Sequence, residues 1–132
     1  MFKFSSIAKI TTVSAVASFA SIAVNAADRI SDFSLVDHEG RFFQLSRNSD
    51  QQAIVLLAFD DASRDARRAA SELADIAEDF ADQKIAFAIV NVTSESSKSV
   101  IRKIAKDRRI ELRILMDNTQ LVAEELGLTR AA

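Results

Sequence analysis

Two apolar runs, Ala53–Phe59 and Ile85–Val90, stand on either side of a stretch whose apolar residues recur every three or four positions. Short apolar runs bounded by polar residues read as strands buried on both faces, the condition of a parallel sheet. The stretch between them carries Ala66, Ala70, Leu73, Ile76, Ala77 and Phe80, one buried stripe along a helix from about Ser63 to Ala81. Ser63 is in position to cap that helix, and Asp65 suits its first turn. Strand, helix and strand in succession make a βαβ unit closed by a right-handed crossover. The chain is therefore expected to be an α/β domain.

The flanking segments extend this unit. Asp32–Val36 and Arg41–Ser46 alternate between apolar and polar faces, and Asp37-His38-Glu39-Gly40 joins them. That pattern predicts a β-hairpin, with Gly40 in the left-handed conformation and His38 a solvated residue at the tip. Arg47–Gln52 reads as a polar turn. Further on come a helix from about Ser96 to Lys106 (stripe Val100, Ile101, Ile104, Ala105), a strand at Leu112–Met116 and a helix at Thr119–Leu126. The last of these should bury Leu121, Val122 and Leu126, and Gly127 fits its C-terminal cap.

The first 26 residues stand apart. Lys3 and Lys9 precede an apolar stretch at 10–24, and Val24-Asn25-Ala26 offers small residues at a cleavage site. This reads as a signal peptide over 1–26, with a domain over 27–132 that is periplasmic or secreted and no longer membrane-bound after cleavage. Removal takes two lysines and no acid from a chain of 17 basic and 19 acidic side chains, which disfavours a nucleic-acid partner. The chain has no cysteine and no proline, and a single histidine. It therefore holds neither a disulfide nor a thiol nucleophile. A histidine-based metal cluster is out of reach, and no cofactor is implied.

Chemistry in α/β proteins gathers where a strand's carboxyl end meets a helix, here Asp60-Asp61-Ala62-Ser63-Arg64-Asp65-Ala66-Arg67-Arg68. Asp60 and Asp61 could hold Mg²⁺, but no lysine or further acid is placed to complete such a site. Arg64, Arg67 and Arg68 are anion-binding candidates, without the glycine that lets a loop cradle phosphate. Ser63 as a nucleophile lacks a base. The remaining reading is a loop of mutually paired charges, with Arg68 and Glu72 at helical i, i+4 spacing. A second concentration of charge (Lys98, Arg102, Lys103, Lys106, Arg108, Arg109, Arg113) reads as a solvated basic face.

Asp32–Asp37, Gly40 and Phe43–Ser46, then Ala53–Phe59, then Leu112–Asp117 with Leu121–Leu128 follow one another in the order of the redoxin branch of the thioredoxin-like superfamily. The chain resembles the peroxiredoxin-type (AhpC/TSA-like) members of that branch over about residues 30–130. The resemblance implies a thioredoxin-like fold: an N-terminal hairpin, a βαβ unit and a further α-β-α. It also implies thiol-dependent peroxide or disulfide reduction. In that family the loop after the core strand carries one or two cysteines, often Cys-x-x-Cys. Matching through Glu72-Leu73 sets Ser63 and Ala66 at those places, and matching from Phe59 sets Arg64 and Arg67 there. The family adds a C-terminal ββα part, of which a strand introduced by a cis-proline lies beside the core strand. The expectation is thus a cysteine-less, incomplete redoxin domain acting as a non-catalytic binding or scaffold module. Its alternative is an oxidoreductase working only with cysteines from a partner. Lacking the facing strand, residues 53–59 should present an open edge for a protein partner or for self-association.

Overall fold

A computed structural model describes residues 30–128. The segment read as a signal peptide lies outside them. The chain order is β1 (Ser34–Asp37), β2 (Phe42–Gln44), a 3-10 turn (Leu45–Asn48), β3 (Ala53–Phe59), α1 (Arg64–Asp79), β4 (Ile85–Asn91), α2 (Lys98–Arg108), β5 (Arg113–Met116) and α3 (Leu121–Glu125). The strands form one mixed sheet in the order β2-β1-β5-β4-β3. β3, β4 and β5 run parallel, and β1 is antiparallel to both β2 and β5.

Successive residues of a strand face opposite sides of the sheet, and the core divides accordingly. On one face Phe59, Ile89, Ile114 and Met116 meet Ala66 and Ala70 of α1, Ile101 and Ala105 of α2, and Ile110. On the other, Ala88, Val90 and Leu115 meet Phe33 and Phe43 of the hairpin and Val122 of α3. Both crossovers step from β3 toward β5 in the same direction, so the same handedness brings α1 and α2 to one face.

The hairpin forms as its sequence predicts. Gly40 has φ +84°, and its N–H donates to the Asp37 carbonyl at 3.0 Å. Phe43 is buried against Phe33 while Phe42 faces outward. The Asp32 carboxylate accepts bonds from Gln44 Nε2, Ser46 N and Ser46 Oγ, tying the base of the hairpin to the 3-10 turn. Gly127, at φ +68°, closes α3: its N–H donates to Glu124 O and that of Leu128 to Ala123 O, the two bonds of a Schellman motif.

Several burial expectations need correction. β3 is not buried on both faces: among the described residues it is an edge strand paired only with β4, and Phe59 is its one fully buried residue. The α1 stripe narrows to Ala66 and Ala70, with Leu73 and Ala77 half-buried and Ile76 and Phe80 exposed. A helix lying over an edge strand has a neighbour, here α2, on one flank of its stripe only. Val100 and Leu121 are exposed as well, because the residue after each, Ile101 and Val122, takes the position facing the sheet.

Candidate functional site

The corner after β3 is held by its own polar groups. Asp60 Oδ1 accepts from Ala62 N at 2.9 Å and from Thr93 Oγ1 at 3.3 Å, linking the loop after β3 to the loop after β4. Ser63 N donates to Asp60 O. Ser63 Oγ accepts the Ala66 N–H at 3.2 Å, the N-cap bond of α1, worth about 1 kcal/mol. Ala66 itself is 2% exposed and packs in the core beside Phe59.

The three arginines part company. Arg67 Nε donates to Asp61 O at 2.7 Å, which ties its side chain to the loop. Arg68 pairs with Glu72 at 2.9 Å, both side chains mostly exposed, as the i, i+4 spacing suggests. Arg64 is exposed and has no bonded partner among the described residues. Among the described residues no basic side chain is hydrogen-bonded to Ser63 Oγ. The histidine lies at the hairpin tip, whose backbone pairs with Ile114 at the start of β5, so it is at the opposite end of the sheet. A hydroxyl without a base stays protonated near neutral pH, and the bond the Ser63 hydroxyl makes is the helix cap.

The loops beside the corner hold further buried polar groups that periodicity in the sequence does not reveal. Asn91 is fully buried, and its Oδ1 accepts from Thr93 N. Asp117 is 1% exposed, and its Oδ2 accepts the Ala123 N–H at 2.7 Å. Gln120, at φ 59°, sends its amide to Val92 O at 2.6 Å. Together these bonds lock α3 onto the ends of β4 and β5.

His38 is not the solvated turn residue expected from its place in the hairpin. It is 5% exposed. Its N–H donates to Ile114 O, and its Nδ1 accepts the Ile114 N–H at 3.3 Å. The imidazole thus stands in for its own carbonyl in the ladder, and that carbonyl instead accepts from Arg102 Nε at 2.7 Å. Arg102 and Arg113 are both tied to the hairpin, for Arg113 Nε reaches Asp37 Oδ2 at 3.0 Å; Arg102 stays exposed and Arg113 is half-buried. Asp37 is fully buried and also accepts from Arg41 Nε, Arg41 N and Glu39 N.

Burial lowers the His38 pKa below its ordinary 6.5, against the pull of Asp37 and Glu39. The folded state therefore holds a neutral ring, as the acceptor role of Nδ1 requires. Below pH 6.5 the unfolded chain binds this proton more readily than the folded one, so stability falls as pH falls through that value toward the lower folded pKa. Urea midpoints measured on either side of pH 6.5 should show this loss, and His38→Gln should remove it.

The sequence of residues 26–132 matches the AhpC/TSA family model. Among curated proteins none matches the sequence. Solved structures that share the fold include three from bacteria. A hypothetical protein from Sinorhizobium meliloti 1021 is 25% identical with a TM-score of 0.67, over 75% of this chain and 57% of its own. Peroxidoxin BcpB from Mycobacterium tuberculosis is 24% identical with a TM-score of 0.66, over 76% of this chain and 64% of its own. A secreted M. tuberculosis disulfide oxidoreductase homologous to E. coli DsbE is 14% identical with a TM-score of 0.66, over 77% and 72%. The chain thus spans less than two thirds of the length of the first two. With hairpin, crossover and corner in this order, and a family match that contains all of residues 30–128, the chain belongs to the AhpC/TSA family of thioredoxin-like redoxins.

Proposed function

We propose that this chain is an exported redoxin-family domain that carries out no thiol chemistry of its own and acts as a binding module. The observation that carries this reading is the corner itself. The chain has no cysteine, and the two residues matched to the family's thiols are a helix cap and a core alanine. A thiol mechanism needs a thiolate to attack and a sulfur to be oxidised, and neither serine nor alanine supplies one.

The binding surface is the open edge of β3. Val92 N donates to Phe59 O and Ala53 N to Lys84 O, so odd-numbered residues of β3 bond toward β4. Ile54, Leu56 and Ala58 then turn their N–H and C=O groups outward. The run contains no charge and no proline, the devices that usually blunt such an edge. In the simplest case the added strand comes from a second copy of the chain. Sedimentation over a range of concentrations should detect association, and a monomer throughout would refute this surface.

Export rests on the pattern of residues 1–26, and the DsbE homologue above is itself described as secreted. N-terminal analysis of the mature chain should start at Ala27; a chain still beginning at Met1 would contradict export.

A further inference from the structure

A cleft of about 650 Å³ lies at the end of the sheet opposite the corner, between the hairpin tip and the second half of α2. We propose that it binds a small organic phosphate, an anionic head carried on an apolar body. This reading is independent of the function proposed for β3.

The cations on its wall come from two elements. Arg102 and Lys106 stand one helical turn apart on α2, and Arg109 follows at the helix end. Arg41 comes from the hairpin, but its guanidinium is already engaged by Asp37 and Glu39. Arg102 is braced across the cleft by the bond from its Nε to His38 O, which leaves its terminal nitrogens to a ligand. Among the described residues no hydrogen bond or ion pair engages the side chain of Lys106 or Arg109. The acids of the wall are Glu39, which is paired with Arg41, and Glu111. The wall is therefore cationic on a chain whose net charge is −2.

Like charges at i, i+4 oppose helix formation, and a bound anion would relieve them. Arg109 carries a second cost. It sits at φ 53°, the left-handed conformation usually given to glycine at a helix end, while the bonds Ile110 N to Ala105 O and Arg109 N to Lys106 O close the helix around it. Backbone strain kept at the rim of a cationic cleft is what a binding role would retain. The floor is apolar: Ala105 and Ile110 are buried, and Leu112 is half-buried. The volume suits an organic molecule rather than a bare ion, since small-molecule sites run from about 300 to 1,000 Å³. Cationic rim, apolar floor and size together point to a phosphate monoester.

Phenyl phosphate is a direct probe of the full chain, followed by amide shifts in NMR and by calorimetry. Saturable shifts are expected at residues 38–41 and 102–112, with tighter binding than inorganic phosphate and no saturation by phenol. Arg109→Gly is the decisive variant, because it relieves the left-handed strain and should raise the unfolding midpoint while weakening phenyl phosphate binding about tenfold. Lys106→Met should weaken binding similarly. Lys103→Met, on the same helix but outside the cleft, should leave it unchanged. Absence of saturable shifts at these residues would overturn the proposal. So would undiminished binding by Arg109→Gly, or phenol or inorganic phosphate binding as tightly as phenyl phosphate.

Discussion

Replacing Asp37 with alanine is expected to destabilise the fold by about 3 kcal/mol, near the low end of what removing one partner of a buried ion pair costs. The carboxylate is fully buried and sits between two guanidiniums, with Arg41 Nε at 2.9 Å and Arg113 Nε at 3.0 Å from Oδ2. Its other oxygen takes the N–H groups of Glu39 and Arg41, the two bonds that shape the hairpin tip. The low end applies because Arg41 and Arg113 are 54% and 35% exposed and can turn to water once the acid is gone. Asparagine keeps the shape but turns an amide toward both guanidiniums, so it should lose most of the same free energy. Urea unfolding checks this, with a lower midpoint at unchanged slope as the expected result. The group also has its own acid signature. Burial alone would raise its pKa, but the bonds from Arg41, Arg113 and Glu39 outweigh that and hold it below 3.8. Its contribution is complete above pH 3.8 and is lost as pH falls below that value toward the folded pKa, well separated from the His38 window near 6.5.

The second large effect is expected at the edge of β3. Val55→Lys should weaken self-association at least tenfold, equivalent to about 1.4 kcal/mol, while changing the stability of the monomer by less than about 0.5 kcal/mol. Val55 is 37% exposed, and among the described residues no strand lies beyond β3. A lysine there meets water in the monomer at little cost. In a paired edge it must be desolvated, and with two copies related by a two-fold axis the cost is met twice. Sedimentation of wild type and variant at matched concentrations checks this. Equal association would move the contact away from β3.

Much of the fold was legible from periodicity. Ala53–Phe59 and Ile85–Val90 are parallel neighbours, the helix between them begins at the serine that caps it, and Gly40 and Gly127 adopt positive φ where a turn and a helix end require it. What periodicity cannot show is which neighbours a strand lacks. The apolar run of β3 looks the same whether one or both of its edges are paired, so its half-exposed state came from topology. His38 was misjudged for a similar reason. Its position in a turn suggested solvent, but the antiparallel pairing of β1 with β5 brings Ile114 to its ring and α2 brings Arg102 to its carbonyl. Both contacts span more than 60 residues of sequence. The corner read more faithfully, because its bonds are local: Ser63 to Ala66, Arg68 to Glu72, Asp60 to Ala62. The bonds from Arg67 to the Asp61 carbonyl and from Thr93 to Asp60 depend on loop conformations the sequence does not announce.

Turnover by the purified chain is the most direct test of a redoxin corner without thiol chemistry. Peroxide consumption with dithiothreitol as reductant, and reduction of insulin disulfides, should proceed at the rate of the protein-free control. Consumption of either substrate in proportion to the concentration of the chain would contradict the account.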